Sequence, residues 1–291
     1  MDEEEIMSTF LPSRNTSPAP DRAAAPRTAV QPLELAREVE QARRELAVMR
    51  MQLTSAEADL EAMRRERDWA LRALTDLRNE TFLDLARSAE RHDGESPMHT
   101  TRIGLYTSLI ASELGCPSGL CRMLEKASQL HDIGKIGIHA SIIGKPGPLT
   151  TEEWRVVREH PRIGASIIGE SEEPMLQLAA EIAMTHHEHF NGAGYPQGLA
   201  GERIPLAGRI VGLADFFDAL TTERSYRPAR PAAEVIEMIS SRRGEQFDPV
   251  VVDAFMRVTE RIEKVLQLTT KQEATALANA TGWDGDWWMV T

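Results

Sequence analysis

The sequence predicts an almost wholly α-helical protein, a helical domain preceded by a long coiled-coil helix, and three observations predict it. A heptad seam runs through residues 33–78. Beyond it, apolar residues recur at helical spacing with recognisable helix-start signals. Alternating strand patterns joined by hairpin turns are absent.

The seam is Leu35, Val39, Ala42, Leu46, Met49, Leu53, Ala56, Leu60, Met63, Arg67, Ala70, Leu74 and Leu77, with steps alternating between four and three. Arg67 is its single polar break. After Pro32 the segment holds no Gly or Pro and is rich in Glu, Arg, Ala and Leu, which favour helix. So narrow a stripe needs a partner helix. The simplest is the same helix of a second chain in a parallel homodimer; the alternative is a helix folded back on its own domain.

Past residue 80 the apolar spacing changes. Ile103, Tyr106, Leu109, Ile110 and Leu114 form one helical set, Ile163, Ile167 and Ile168 a second, and Leu176, Leu178 and Ile182 a third. Thr150 followed by Glu153 reads as a capping box. Asp248-Pro249 reads as an N-cap followed by Pro at the first helical position. The expected organisation is a disordered tail over 1–30, a coiled-coil dimerisation and signalling helix over 31–80, the helical domain over 81–268, and a tail over 269–291 that carries Trp283, Trp287 and Trp288. The first tail is rich in Pro, Ser and charge and poor in large apolar groups.

The chain has 291 residues, 42% of them apolar and 27% charged, with net charge −12. That suits a globular protein with a sizeable core. No basic stripe suggests a partner in duplex nucleic acid. An acidic chain that binds an anion needs locally placed cations, and metal ions are the strongest available. Cys116 and Cys121 make neither a disulfide framework nor a zinc ribbon. No apolar run reaches membrane-spanning length, and the acidic start is unlike a secretory signal. A cytoplasmic location is expected.

The chemistry sits in the histidines and their neighbours. His131 is followed at once by Asp132, and His186 by His187. His99 lies four residues after Glu95, on one face if that turn is helical. His160 opens HPRIGASII, and Asp215 sits in the apolar run IVGLADFFDAL. One such residue alone is more often a satisfied core group or a solvated one. Doublets embedded in apolar helical segments are harder to explain that way. Imidazole with carboxylate and no thiolate suits iron, manganese, nickel or zinc. Eight candidates, Glu95, His99, His131, Asp132, His160, His186, His187 and Asp215, exceed what one ion takes. Two metals side by side clamp a phosphoryl group and activate water. Asp132 could bridge two ions, and Lys135, one turn on, could neutralise charge on the phosphate or protonate the leaving oxygen.

HDIGK, HHEHFNGAGYP, ADFFDALTTERSYRP and GEQFDP, in this order, resemble the signature of HD-GYP domains, a branch of the HD phosphohydrolase superfamily. The resemblance covers about residues 82–265. It implies metal ligands at His131, Asp132, His160, His186, His187 and Asp215, and a third-metal element at Glu95 and His99. It also implies a catalytic lysine at Lys135, a substrate loop at Gly194, Tyr195 and Pro196, and phosphate- or base-binding residues at Arg224 and Arg227. The activity it implies is hydrolysis of cyclic di-GMP to linear pGpG, in some members onward to GMP, with two or three divalent ions, iron or manganese. The chain departs from the pattern at Pro97, at Asn191, where aspartate is common, and at His139-Ala140. Relatives often carry a receiver or sensor domain ahead of this one; here the coiled coil either takes signals from an upstream partner protein or serves only to dimerise the domain. Two other readings stay open: hydrolysis of another nucleotide or a hybrid cyclic dinucleotide, and a non-catalytic signalling module. A degenerate module should have lost ligands, and none of the eight is missing.

Overall fold

The computed structural model describes residues 32–93, 96–145, 147–223 and 227–281. The tail over 1–30, Glu95, Arg224 and the three C-terminal tryptophans lie outside the described residues. The described residues contain α-helices and 3-10 turns and no β-strand. None of their helices is long and apolar enough to cross a membrane.

Two compact units divide the chain, residues 1–70 and 71–291. The first consists, where described, of α1 (Pro32–Asp93) up to Ala70. Pro32 at the first helical position leaves no hydrogen bond unmade, and no Gly or Pro interrupts the helix after it. Leu35, Leu46, Leu53, Leu60 and Met63 of the seam are 45–60% exposed, so in this chain they cover no core.

In the second unit the seam gives way to core packing. Ala86 and Ala89 are buried, and Phe82 and Leu83 lie against the core. That core is drawn from α2 (His99–Glu113), α3 (Ser118–Ala127), α7 (Pro174–Thr185), α8 (Leu206–Thr221), α9 (Ala232–Ser241) and α10 (Pro249–Thr281). Its centre is an aromatic chain. Phe217 meets Tyr106 edge-on at 5.6 Å and Phe255 at 5.5 Å. Between α3 and α7 the chain makes two short 3-10 turns, Ser128–Leu130 and Ile133–Gly137. The short helices α4 (Ala140–Ile143), α5 (Thr151–Val157) and α6 (His160–Ile168) come next.

The expected caps are present. Thr150 Oγ1 accepts from the Glu153 N–H, and Glu153 returns a carboxylate to the Thr150 N–H at 2.7 Å. Asp248 accepts from the Val250 N–H at 2.7 Å and starts α10. That helix runs on through residue 268, where the sequence pattern suggested a domain boundary, as far as Thr281. Its side chains in KQEATALANAT are mostly helix formers, and the first Gly comes only at 282.

Two glycines permit the close approaches that assemble the site. A Cβ on Gly134 would lie 2.0 Å from the His160 carbonyl oxygen, and one on Gly212 would lie 2.4 Å from that of His186. Only Gly lets the HDIGK turn touch the start of α6, and α8 touch the end of α7.

Candidate metal centre

Each described histidine and aspartate among the candidates stands at or near the end of an element or on a face turned towards the others. His99 is the first residue of α2. Ser96–Met98 before it form a turn and not a helix, so the helical face proposed for Glu95 and His99 does not extend through them. His131 and Asp132 lie between the two 3-10 turns, and Lys135 lies in the second. His160 opens α6, His186 closes α7 with His187 next, and Asp215 is on α8.

The fold gathers seven of these residues into two groups. Asp132, His160, His186 and His187 offer ligand atoms within 4.8 Å of one another, and so do His99, His131 and Asp215. Asp132 and His131 join the groups. Asp132 Oδ1 lies 3.1 Å from His160 Nε2 and 3.4 Å from His186 Nε2, while Oδ2 lies 3.4 Å from His131 Nε2. His131 Nε2 also faces Asp215 Oδ1 at 3.9 Å, and His99 Nε2 faces the same oxygen at 3.8 Å.

The hydrogen bonds on the far side of each ring fix what these atoms are. His131 Nδ1 lies 3.0 Å from the Ser128 carbonyl, His160 Nδ1 2.7 Å from that of Val157, and His186 Nδ1 3.0 Å from that of Ala183. A carbonyl only accepts, so each Nδ1 carries a proton and, in the neutral ring, each Nε2 presents a lone pair. His160 Nε2 and His186 Nε2 therefore face each other at 3.4 Å as two lone pairs beside a carboxylate oxygen. His131 Nε2 and Asp132 Oδ1 are buried without a hydrogen-bond partner among the described residues. Lone pairs converging in a buried place are stabilised by a cation, and imidazoles oriented through Nδ1 are the usual arrangement around a metal. The residues fit divalent ions.

The electrostatics agree. Burial holds the His186 and His187 imidazoles below their ordinary value, for His187 well below, aided there by the neighbouring His186 and His160. Both stand as neutral imidazoles, the form that can take a cation. Burial opposes charge on Asp132, yet Lys135 and His131 outweigh it and hold its carboxyl well below the usual range. Burial also opposes protonation of His131, but Asp132 outweighs it and holds that imidazole above its ordinary value. The His131–Asp132 pair thus attracts positive charge. Lys135 Nζ lies 2.8 Å from Asp132 Oδ2.

A cavity of about 560 Å³ opens beside these groups. Asp132, Lys135, His160, His187, Tyr195 and Asp215 line it, and Leu149, Trp154 and Val157 supply an apolar wall. The Gly194-Tyr195-Pro196 turn sits at its edge. A Cβ on Gly194 would run into the His189 backbone nitrogen at 2.2 Å. Tyr195 stacks on His187 with centroids 4.7 Å apart, the Arg158 guanidinium lies 5.1 Å over its ring, and Arg162 donates to the Pro196 carbonyl at 3.0 Å. Burial raises the Tyr195 phenol above its ordinary value, so it stays protonated as a donor. The Glu188 carboxylate accepts from the backbone of Gln197 and Leu199 at 2.7 and 3.0 Å and closes the loop. Arg227 donates to the carbonyl of Ala219, itself on the cavity wall.

Sequence reading missed Asp218 and Arg102, both with no exposed side-chain surface, and the clamp made by Glu188, Arg158 and Arg162. Asp218 lies 2.7 Å from His99 Nδ1. It repeats, three residues on, the anomaly that singled out Asp215: a carboxylate in an apolar run.

The HD domain family matches residues 74–251. A Thermotoga maritima protein named cyclic di-GMP phosphodiesterase is 43% identical over 177 residues, 61% of this chain and 48% of that protein. The Xanthomonas campestris cyclic di-GMP phosphodiesterase response regulator RpfG is 41% identical over 186 residues, 64% of this chain and 49% of that one. A Vibrio cholerae protein named 3′3′-cGAMP-specific phosphodiesterase 2 is 37% identical over 186 residues, 63% of this chain and 36% of that one. The chain spans about half the length of the first two relatives, or less for the third. With the His-Asp doublet, the paired histidines and the Gly-Tyr-Pro loop brought to one cavity, and the family match running through all of them, the chain belongs to the HD domain family, in its HD-GYP branch.

Proposed function

We propose that this chain is a phosphodiesterase that hydrolyses cyclic di-GMP to linear pGpG, with GMP as a further product. The observation that carries the reading is the pair of His/Asp groups joined through Asp132, with Lys135 Nζ at 2.8 Å from the same carboxylate and an open cavity alongside. Two relatives are named for that activity. Iron or manganese, two or three ions per chain, would be held by His99, His131, Asp132, His160, His186, His187 and Asp215, with Glu95 as an eighth ligand. When bound, such ions supply an activated water and neutralise the phosphate.

The chain's own residues do the rest. Lys135, within reach of the cavity, gives a proton to the leaving ribose oxygen and balances charge on the phosphate. Tyr195, kept protonated, donates to a phosphate oxygen, and Arg224 and Arg227 take the second phosphate. The wall of Leu149, Trp154 and Val157 receives a base. The exposed seam of α1 pairs with its copy in a cytoplasmic homodimer that an upstream sensor protein engages.

The similarity to the Vibrio protein supports a second reading, with a hybrid cyclic dinucleotide as substrate. One experiment separates these. Full-length chain is purified anaerobically and reconstituted with iron or manganese, and metal content is measured beside chromatography of products from cyclic di-GMP and from 3′3′-cGAMP. Two or three ions with pGpG appearing faster from cyclic di-GMP supports the first reading. Faster turnover of the hybrid supports the second, and bound metal with turnover of neither overturns both.

A further inference from the structure

Glu273 lies on the last turns of α10, far along the chain from the site, and the hydrolytic scheme does not use it. Its Oε1 accepts from the Met98 N–H at 3.0 Å, from Arg102 Nη1 at 3.2 Å and from the Ser96 hydroxyl. Arg102 Nη2 also donates to Ser96 Oγ at 3.1 Å. Through Nε and Nη2, Arg102 grips Asp218 at 2.6 and 3.0 Å, and Asp218 Oδ2 lies 2.7 Å from His99 Nδ1. One carboxylate oxygen thus ties the turn that leads into His99 to the pair that holds the far side of the His99 ring.

The local sequence of α2 explains why an outside carboxylate is recruited. Met98 stands at the N-cap without a side-chain cap, and the first turn has no acidic residue. A helix start left so stabilises a negative group brought from elsewhere. Arg102, fully buried, needs more than one carboxylate around it, and Asp218 and Glu273 both lie against it. Burial works against its charge, but Asp218 and then Glu273 overcome this and hold the guanidinium firmly protonated.

We propose that Glu273 is a positioning residue for the group formed by His99, His131 and Asp215: it fixes the Ser96–Met98 turn and Arg102, and through them the aim of His99 Nε2. The proposal rests on the reading that this group holds a divalent ion. It makes the end of α10, outside the span matched to the family, part of what prepares the site.

The test titrates full-length, chelator-stripped chain with manganese alone and follows free manganese by electron paramagnetic resonance. His99→Ala marks the binding that depends on this group, and His160→Ala marks the binding that depends on the other. Glu273→Ala is expected to weaken the His99-dependent affinity by about tenfold, the low end of what outer partners of a metal ligand contribute. It leaves the His160-dependent affinity unchanged. Glu273→Gln, which keeps an oxygen for the Met98 N–H but loses the charge, falls between, and circular dichroism confirms that both variants fold. His99-dependent affinity in Glu273→Ala equal to that of the native chain overturns the proposal alone. A titration that His99→Ala itself does not change overturns the metal reading of this group, and the proposal with it.

Discussion

Arg102 donates from Nε and Nη2 to the two carboxylate oxygens of Asp218, and neither side chain has exposed surface. Removing one member of such a pair strands a buried charge, which costs about 3–5 kcal/mol. Asp218→Ala is therefore expected to lower the unfolding free energy by that amount in urea denaturation. The pH dependence has a definite sign. Burial opposes the Asp218 charge, but the hydrogen bond from His99 and the charge of Arg102 outweigh it, so its folded-state value lies below the ordinary carboxylate value. The unfolded state then binds protons first as pH falls. The contribution of Asp218 is complete above its unfolded value, about 3.9, and is lost as pH drops through the folded value. Asp218→Asn should lack that part of the acid loss, and an unchanged acid slope in this variant would count against the pair.

Lys135 and Asp132 make the second close ion pair of the site, 2.8 Å apart. If Lys135 serves the leaving group, Lys135→Ala keeps its metal and loses turnover. Removal of one such proton donor lowers kcat by about 10²–10⁴-fold. Metal analysis beside steady-state kinetics on cyclic di-GMP checks it. Loss of metal in proportion to activity would show instead that Lys135 works by holding Asp132 in place.

Much of the site is legible in the sequence because its signals are local. The His131-Asp132 and His186-His187 doublets are neighbours in the chain. The capping box at Thr150 and the heptads of α1 are local in the same sense. What escaped is non-local or was weighed alone. Arg102 stands three residues after His99, but its partner Asp218 lies 116 residues away, and nothing in one segment announces the other. Asp218 itself was readable by the argument applied to Asp215. Glu273 is hidden because the glycine at 282 reads as part of a broken tail, while the eleven residues before it, Lys271–Thr281, are mostly helix formers. The spacing of Glu95 and His99 suggested a helical face, yet Pro97 lies between them and the chain there makes a turn.

Trp154 lines the same cavity as Asp132, Lys135 and His160, and the residue is 48% exposed. Its helix is held in place by the Thr150–Glu153 cap and by Lys145, which grips Glu153 at 2.7 and 2.9 Å. If the cavity takes a cyclic dinucleotide, an exposed indole on its wall suits a nucleobase, and stacking is worth about 1–3 kcal/mol per base. Trp154→Ala is expected to raise KM for cyclic di-GMP by about five- to 150-fold, the equivalent of that energy. The KM for bis(p-nitrophenyl) phosphate, which has no nucleobase, should stay as it is. An equal rise for both substrates would place the effect on the phosphate side and not on the base.

The seam of α1 leaves Leu46 and Leu53 46% and 60% exposed, seven residues apart and so at the same heptad position. Burying each against a partner helix is worth about 1.5–3 kcal/mol, and the repeat of such positions along the segment is what holds a coiled coil together. Leu46→Glu with Leu53→Glu in the full-length chain places two carboxylates in that seam on each helix. In a parallel dimer they face their own copies, so the charges repel as well as losing apolar contact. Light scattering is expected to show the native chain as a dimer and this variant as a monomer at the same concentration. Circular dichroism should show the second unit still helical. A variant that stays dimeric would move the interface away from α1, and the exposed leucines would then await a different helix, one supplied by another protein.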